Sequence, residues 1–296
     1  VNPSRLQRAA TFIWGSARLL DRHLFAHLFE GGPREAVVAA LRPYQNADGG
    51  FGNALEPDIR TPTSQPVAVE MALRTLDLVG GDTELELRAC DYLQSIAAPA
   101  GGVPFSLPSL NPHPHAPWWT APDDPPAALN PTAALVGLLR KHGVRHPWVD
   151  RAEQFCWHAI ATSETREFHD LVPMITFLEH APDRARAEGE LARLAARIAE
   201  PGVVELRTNA EGYVHGPLDW APLATSFCRS LFADAVLAEH LAALAARQQP
   251  DGGWGISWPP VSAGAEAEWR GAVTIGALRT LASYKAAGLA ILSTED

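Results

Sequence analysis

One short pattern occurs near both ends of the chain and constrains its fold more than any other feature. Gln45-Asn46-Ala47-Asp48-Gly49-Gly50-Phe51-Gly52 returns as Gln248-Gln249-Pro250-Asp251-Gly252-Gly253-Trp254-Gly255. Each copy follows an Ala-rich apolar stretch and precedes another helical segment. A degenerate copy runs from Tyr92-Leu93-Gln94 to Gly101-Gly102-Val103-Pro104-Phe105, and Asn209-Ala210-Glu211-Gly212-Tyr213 keeps only the Gly-aromatic end. Upstream of the turns, Arg88-Ala89-Cys90-Asp91-Tyr92 echoes Arg151-Ala152-Glu153-Gln154-Phe155. Recurrence of this kind signals a repeat architecture. Paired glycines permit the positive φ of a helix cap and tight turn. The aromatic folds back as an anchor, and the Gln amide can tie neighbouring turns together.

The rest of the chain reads as helices. Helical patterns cover 4–20, 34–45, 63–79, 83–97, 130–142, 147–161, 170–180, 184–199, 222–233, 234–248 and 267–285. Thr63 or Ser64 before Pro66, and Asn130 before Pro131, mark helix starts. The stretch Ala235–Ala246 is apolar apart from Glu239 and His240, which implies burial. No segment alternates as a strand would. Gly and Pro collect in 99–131 and 250–265, and 99–131 is long enough to serve as a lid. The expected fold is all-α: a single α/α toroid over 1–296, with about six helical hairpins in an inner and an outer layer.

Acidic residues number 34 against 24 basic, a formal net charge of −10. That balance disfavours a partner read through its phosphates, so no nucleic acid is expected. No apolar run is long enough to span a bilayer, so no integral membrane association is expected. The N-terminal segment lacks the uninterrupted apolar core of a signal peptide, which points to the cytoplasm. Cys90, Cys156 and Cys228 are odd in number and widely spaced, as suits reduced core thiols. Neither a metal nor a cofactor is expected. His113, His115, Asp123 and Asp124 match no zinc spacing and suit a solvated loop.

The two turns Gln45 to Phe51 and Gln248 to Trp254 resemble the QW repeats of squalene–hopene-type terpene cyclases. The Arg-Ala-x-x-aromatic segments at Arg88 and Arg151 resemble the start of the same repeat. Protein prenyltransferase β subunits are similar in architecture. The resemblance implies a toroid with an apolar central cavity. It does not carry over the catalytic signatures. The helix opening Ala128-Leu129-Asn130-Pro131-Thr132-Ala133 stands where the cyclases have an Asp-x-Asp-Asp acid. Asp219-Trp220-Ala221 offers no Cys for the prenyltransferase zinc, and Glu268-Trp269-Arg270 offers no His.

Candidate chemistry therefore rests on the residues themselves. Glu56 and Asp58, with Arg60, lie in Glu56-Pro57-Asp58-Ile59-Arg60-Thr61-Pro62, at the mouth of an inner helix. A buried carboxyl there suits a general acid, whereas the plainer role is to fix the helix opening. His215 and Asp219 occupy a matching place before another inner helix, as a base and its partner. His169 and Asp170 open a further helix, where Asp170 equally suits capping. Trp118, Trp119, Trp220, Trp258 and Trp269 supply aromatic faces that steady a cation or stack on a ligand. Trp254 serves as the repeat's own anchor, and Cys228 as core.

Three functions fit these residues. The first is a terpene cyclase or prenyl-handling enzyme that binds an apolar isoprenoid-type molecule, with Glu56, Asp58, His215 and Asp219 as acid–base groups. The second is a carbohydrate-active α/α-barrel hydrolase or lyase, which needs the same paired carboxylates and aromatic platforms. The third is a noncatalytic toroid that binds a protein or metabolite.

Overall fold

Helix starts appear where the side chains can hold them. In a computed structural model, which describes residues 3–289, the chain is all-α, with no strand among the described residues. Among the described residues twelve α-helices follow in order: α1 (Arg5–Ser16), α2 (Leu19–Phe29), α3 (Arg34–Leu41), α4 (Pro66–Asp77), α5 (Thr83–Ile96) and α6 (Leu129–Lys141). Then come α7 (Pro147–Thr162), α8 (Phe168–His180), α9 (Arg184–Ile198), α10 (Pro217–Trp220), α11 (Asp234–Ala246) and α12 (Ala263–Ala286). Ser4 and Gln7 form a reciprocal capping box at α1. Asp82 caps α5 and Ser262 caps α12, while Pro66, Pro147 and Pro217 stand in first turns.

Two stretches depart from the sequence expectation. The helix expected over 4–20 stops at Ser16, and a separate helix, α2, starts at Leu19. Ala17 and Arg18 between them are extended. The helix expected over 222–233 does not form. That stretch holds only a 3-10 turn at Phe227–Leu231, so Cys228 is buried core on a turn and not on an inner helix. The Ser226 hydroxyl accepts from the Leu223 N–H at 3.0 Å, a local bond that competes with helix formation.

The chain divides into two compact units, 34–196 and the pair of segments 1–33 and 197–296. In the first unit, α6 lies between α4 and α8, while α7 packs on α5 and α6. The closest approach is between α6 and α8. A Cβ on Gly137 would overlap the Thr176 carbonyl, so only glycine lets the two backbones come this near. Leu73, Leu76, Leu93, Trp148 and Phe177 are fully buried in this unit. Arg193 of α9 donates to the Ile160 and Ser163 carbonyls and so closes the C-terminus of α7. In the second unit α12 packs on α1, α2 and α11 around Ile13, Phe25 and Tyr284.

The repeated turns act as stitches, each binding a helix later or earlier in its own unit. Gln45 Nε2 donates to the Gly49 carbonyl at 2.9 Å and to Leu85 of α5 at 3.0 Å. Gln248 Nε2 donates to Gly252 at 2.9 Å and to Arg5 of α1 at 3.0 Å. In the degenerate copy Gln94 is exposed, and Trp148 of α7 takes over, its Nε1 donating to the Gly101 carbonyl at 3.0 Å. Gly49, Gly101 and Gly252 all have positive φ and lie against the backbone of Arg88, Arg151 and Arg8 in turn. The next glycines, Gly50, Gly102 and Gly253, face the rings of Tyr92, Phe155 and Phe12. The Arg-Ala-x-x-aromatic segment is thus the surface on which a turn sits. Arg8-Ala9-Ala10-Thr11-Phe12 is a third copy of it. The aromatics Phe51 and Trp254 are buried as expected. Tyr213 of the fourth candidate is instead 52% exposed and anchors no turn.

Candidate functional site

The first stitch leads directly into a loop that buries two carboxylates. After Gly52 the chain places Asn53 and Ala54 at φ +56° and +59°, left-handed geometry that costs a non-glycine residue free energy. Glu56 and Asp58 follow, 3% and 1% exposed. A crevice lined by Leu55, Ile59, Gln65 and Ala68 runs beside Glu56 and is too tight for a water-sized molecule. Both carboxylates therefore sit in a dry setting at the opening of α4.

The long segment 99–131 holds this loop in place. Ala116 N–H donates to the Asp58 carbonyl at 2.9 Å, and Arg60 N–H to the Pro114 carbonyl at 2.9 Å. Ser109 Oγ accepts from Thr63 and Gln65, while Gln65 Oε1 accepts from the Leu107 N–H. At the other end Val103 exchanges hydrogen bonds with Thr132 of α6. The segment is a strap fixed at both ends. Trp119 is buried within it, stacked on Phe105 at 4.7 Å, whereas Trp118 is 47% exposed. Both ring nitrogens of His115 are engaged inside the strap, by the His113 carbonyl at 2.6 Å and Thr120 Oγ1 at 3.1 Å. Arg60 donates to the Pro57 carbonyl at 3.3 Å.

His169 and Asp170 lie in the first turn of α8. Asp170 accepts from the Thr165 hydroxyl at 3.0 Å, a tie across the helix start. The His169 ring stands edge-on to Phe168 at 5.3 Å. Burial pushes its pKa below the ordinary value, against the charges of Asp170, Glu70 and Glu167.

The remaining candidates fall in the second unit and separate into two groups. Tyr213, His215, Trp258 and Trp269 form a chain of edge-to-face rings at 4.9, 6.0 and 5.2 Å. Trp220 is 4% exposed and is core. Asp219 faces a separate cleft of about 610 Å³ whose lining does not include His215. Its Oδ2 accepts from the Gly216 N–H at 2.7 Å. Loss of water contact against the cleft wall raises its pKa, opposed by that N–H and by nearby Arg247 and His240. His215 and Asp219, paired on sequence, thus take different neighbours. His240 and Arg247 of this cleft were not singled out by the sequence. They stand seven residues apart around the end of α11, a spacing that shares one helix face.

Among the described residues no helix is long and apolar enough to cross a membrane. No family model matches the chain, and no curated protein matches it. A crystal structure of a protein from Actinoplanes is similar, with a TM-score of 0.51 over 95% of this chain and 91% of that one, at 20% identity. At that identity the likeness shows a shared fold.

Proposed function

We propose that the chain is an α/α-toroid enzyme of the terpene cyclase and prenyltransferase type. It binds an apolar isoprenoid-type small molecule in a central cavity and transforms it by proton donation from Glu56 or Asp58 at the cavity mouth. The observation that carries this reading is the burial of both carboxylates in one strained loop, beside Leu55 and Ile59. A carboxylic acid kept from water gives its proton to a ligand without solvent competing for it. The stitches support the kinship, because three turns use paired glycines in one geometry and two of them use the same Gln bond. Three buried cysteines without disulfides suit the reducing cytoplasm, which we propose as its compartment.

The test is incubation with linear polyenes and prenyl diphosphates, followed by mass spectrometry of extracted products. Wild type yields a cyclised or rearranged product. Glu56→Gln or Asp58→Asn lowers turnover about a hundredfold or more, as loss of a general acid does, while ligand binding persists. Absence of isoprenoid binding by native mass spectrometry, or full turnover by both variants, overturns the reading.

A further inference from the structure

The cleft in the second unit has the makings of a binding site separate from the Glu56–Asp58 loop. Its walls are the segment 205–216, the face of α11 and the segment 255–257. At about 610 Å³ it falls in the usual range for small-molecule sites. Leu218, Ala243, Leu244 and Ile256 give it an apolar floor. Its charges are not evenly matched. Arg207 is spent on Glu205, which it grips bidentately at 3.0 and 2.8 Å, and this pairing holds Glu205 down to about 2. Arg247 has no such partner. Its Nη2 donates to the neutral Thr208 carbonyl at 2.7 Å, and no carboxylate lies within ion-pair distance of it among the described residues. His240 Nε2 lies 3.0 Å from the Leu206 carbonyl, which can only accept, so Nε2 carries a hydrogen and donates it there.

We propose that this cleft binds a small organic carboxylate with an apolar body, its head on Arg247 and its chain on the Leu218–Ala243–Leu244–Ile256 floor. A guanidinium at a cleft rim with no carboxylate in ion-pair contact is a natural seat for a carboxylate ligand, which it meets with charge-assisted hydrogen bonds. A monoanion suits the site better than a phosphate, because Asp219 and Glu211 also line the cleft and would repel a second negative charge. The inference does not rest on the isoprenoid reading, because it concerns other residues in the other unit.

Saturation-transfer NMR on the full chain tests it, with octanoate as the probe and octanol and octylamine as its neutral and cationic counterparts. Octanoate binds in preference to both, and added salt weakens it. Arg247→Gln weakens octanoate about tenfold or more, the loss of one good charged contact. Ala243→Phe fills the floor without touching Arg247 and also abolishes binding, which separates the cleft from a general loosening of the 205–216 segment. Equal binding of octanol, preference for octylamine, or octanoate binding unchanged by both substitutions overturns the proposal.

Discussion

The side-chain amide of Gln248 donates to the backbone carbonyl of Arg5, 243 positions earlier in the chain, at 3.0 Å. Arg8 returns the contact, its Nη2 donating to Gln248 Oε1 at 2.7 Å. The last turn of the sequence is therefore fastened to the first helix, as Gln45 is fastened to Leu85. A Gln→Leu change removes two hydrogen bonds at Gln45 and three at Gln248, and leaves the accepting carbonyls dry. At about 1 kcal/mol net per bond, Gln45→Leu lowers stability by about 2 kcal/mol and Gln248→Leu by about 3 kcal/mol. Urea titrations of the two variants check this. A loss below about 0.5 kcal/mol at both sites would mean that the Gln side chains are ornaments of the turn and not its fasteners.

The glycines of the stitch are the more exacting positions. Gly252 has φ +95° and Gly49 has φ +89°, and a Cβ on either would overlap the carbonyl of the receiving Arg. Backbone strain and overlap act together, so Gly49→Ala costs more than the Gln change, about 3 kcal/mol. The thermal midpoint of Gly49→Ala should lie below that of Gln45→Leu. The reverse order would show that the α5 backbone can retreat.

The stitch was legible in the sequence because it needs fixed residue types: Gln, two glycines and an aromatic. Its receiving surface was half legible. Arg88 and Arg151 stood out as echoes, but the third copy, Arg8 to Phe12, lies at the opposite end of the chain from the turn it holds. The missed break between α1 and α2 has a different cause. Gly15 stands just before it but without a positive φ, and the extended Arg18 is fixed instead by its own salt bridge to the buried Asp21 at 2.9 Å. The Glu56–Asp58 loop was readable from its carboxylates. The Arg247 cleft was not, because the apolar run of α11 signals burial and hides the polar face at its end.

Strain in the carboxylate loop gives a prediction of opposite sign. Ala54 at φ +59° carries a Cβ in a conformation that suits glycine, at a cost of about 1 kcal/mol. Ala54→Gly therefore raises stability by about 0.5–1 kcal/mol, after the greater freedom of glycine in the unfolded chain is subtracted. If the loop geometry serves Glu56, the same change lowers turnover of an isoprenoid substrate while the protein becomes more stable. A destabilised Ala54→Gly would show that the left-handed turn is held by something other than its sterics.

The three thiols should be silent in the native state. Cys90, Cys156 and Cys228 are all buried. Burial, with the nearby charges of Glu86 and Asp91, pushes Cys90 up to about 12, and burial beside Glu153 raises Cys156 as well. Only the thiolate attacks a disulfide reagent, so native protein reacts slowly and denatured protein releases all three. Rapid labelling of one native thiol would identify an opening in the helical packing around it.

A second cluster in the first unit makes stability depend on pH. The His142 ring is held between Asp77 of α4 and Glu86 of α5, at 3.0 and 2.6 Å. Hydrogen bonds to Asp77 and Glu86 lift its pKa to about 9, in spite of burial. Burial opposes ionisation of Asp77, but hydrogen bonds from His142 and Lys141 hold it down to about 2. The raised imidazole stabilises the fold fully below its unfolded pKa of about 6.5, and that stability drains away as pH rises through about 9. The depressed carboxylate contributes fully above its unfolded pKa of about 3.9, and that part is lost as pH falls through about 2. His142→Gln strips the charge from between two carboxylates and should cost about 3 kcal/mol on the plateau between these limits. Urea titrations of wild type and variant at about pH 5.5, 7.5 and 9.5 should show a gap that is widest at the lowest of the three and narrows upward. A gap that stays constant or widens with pH would mean that His142 binds its two carboxylates as a neutral ring.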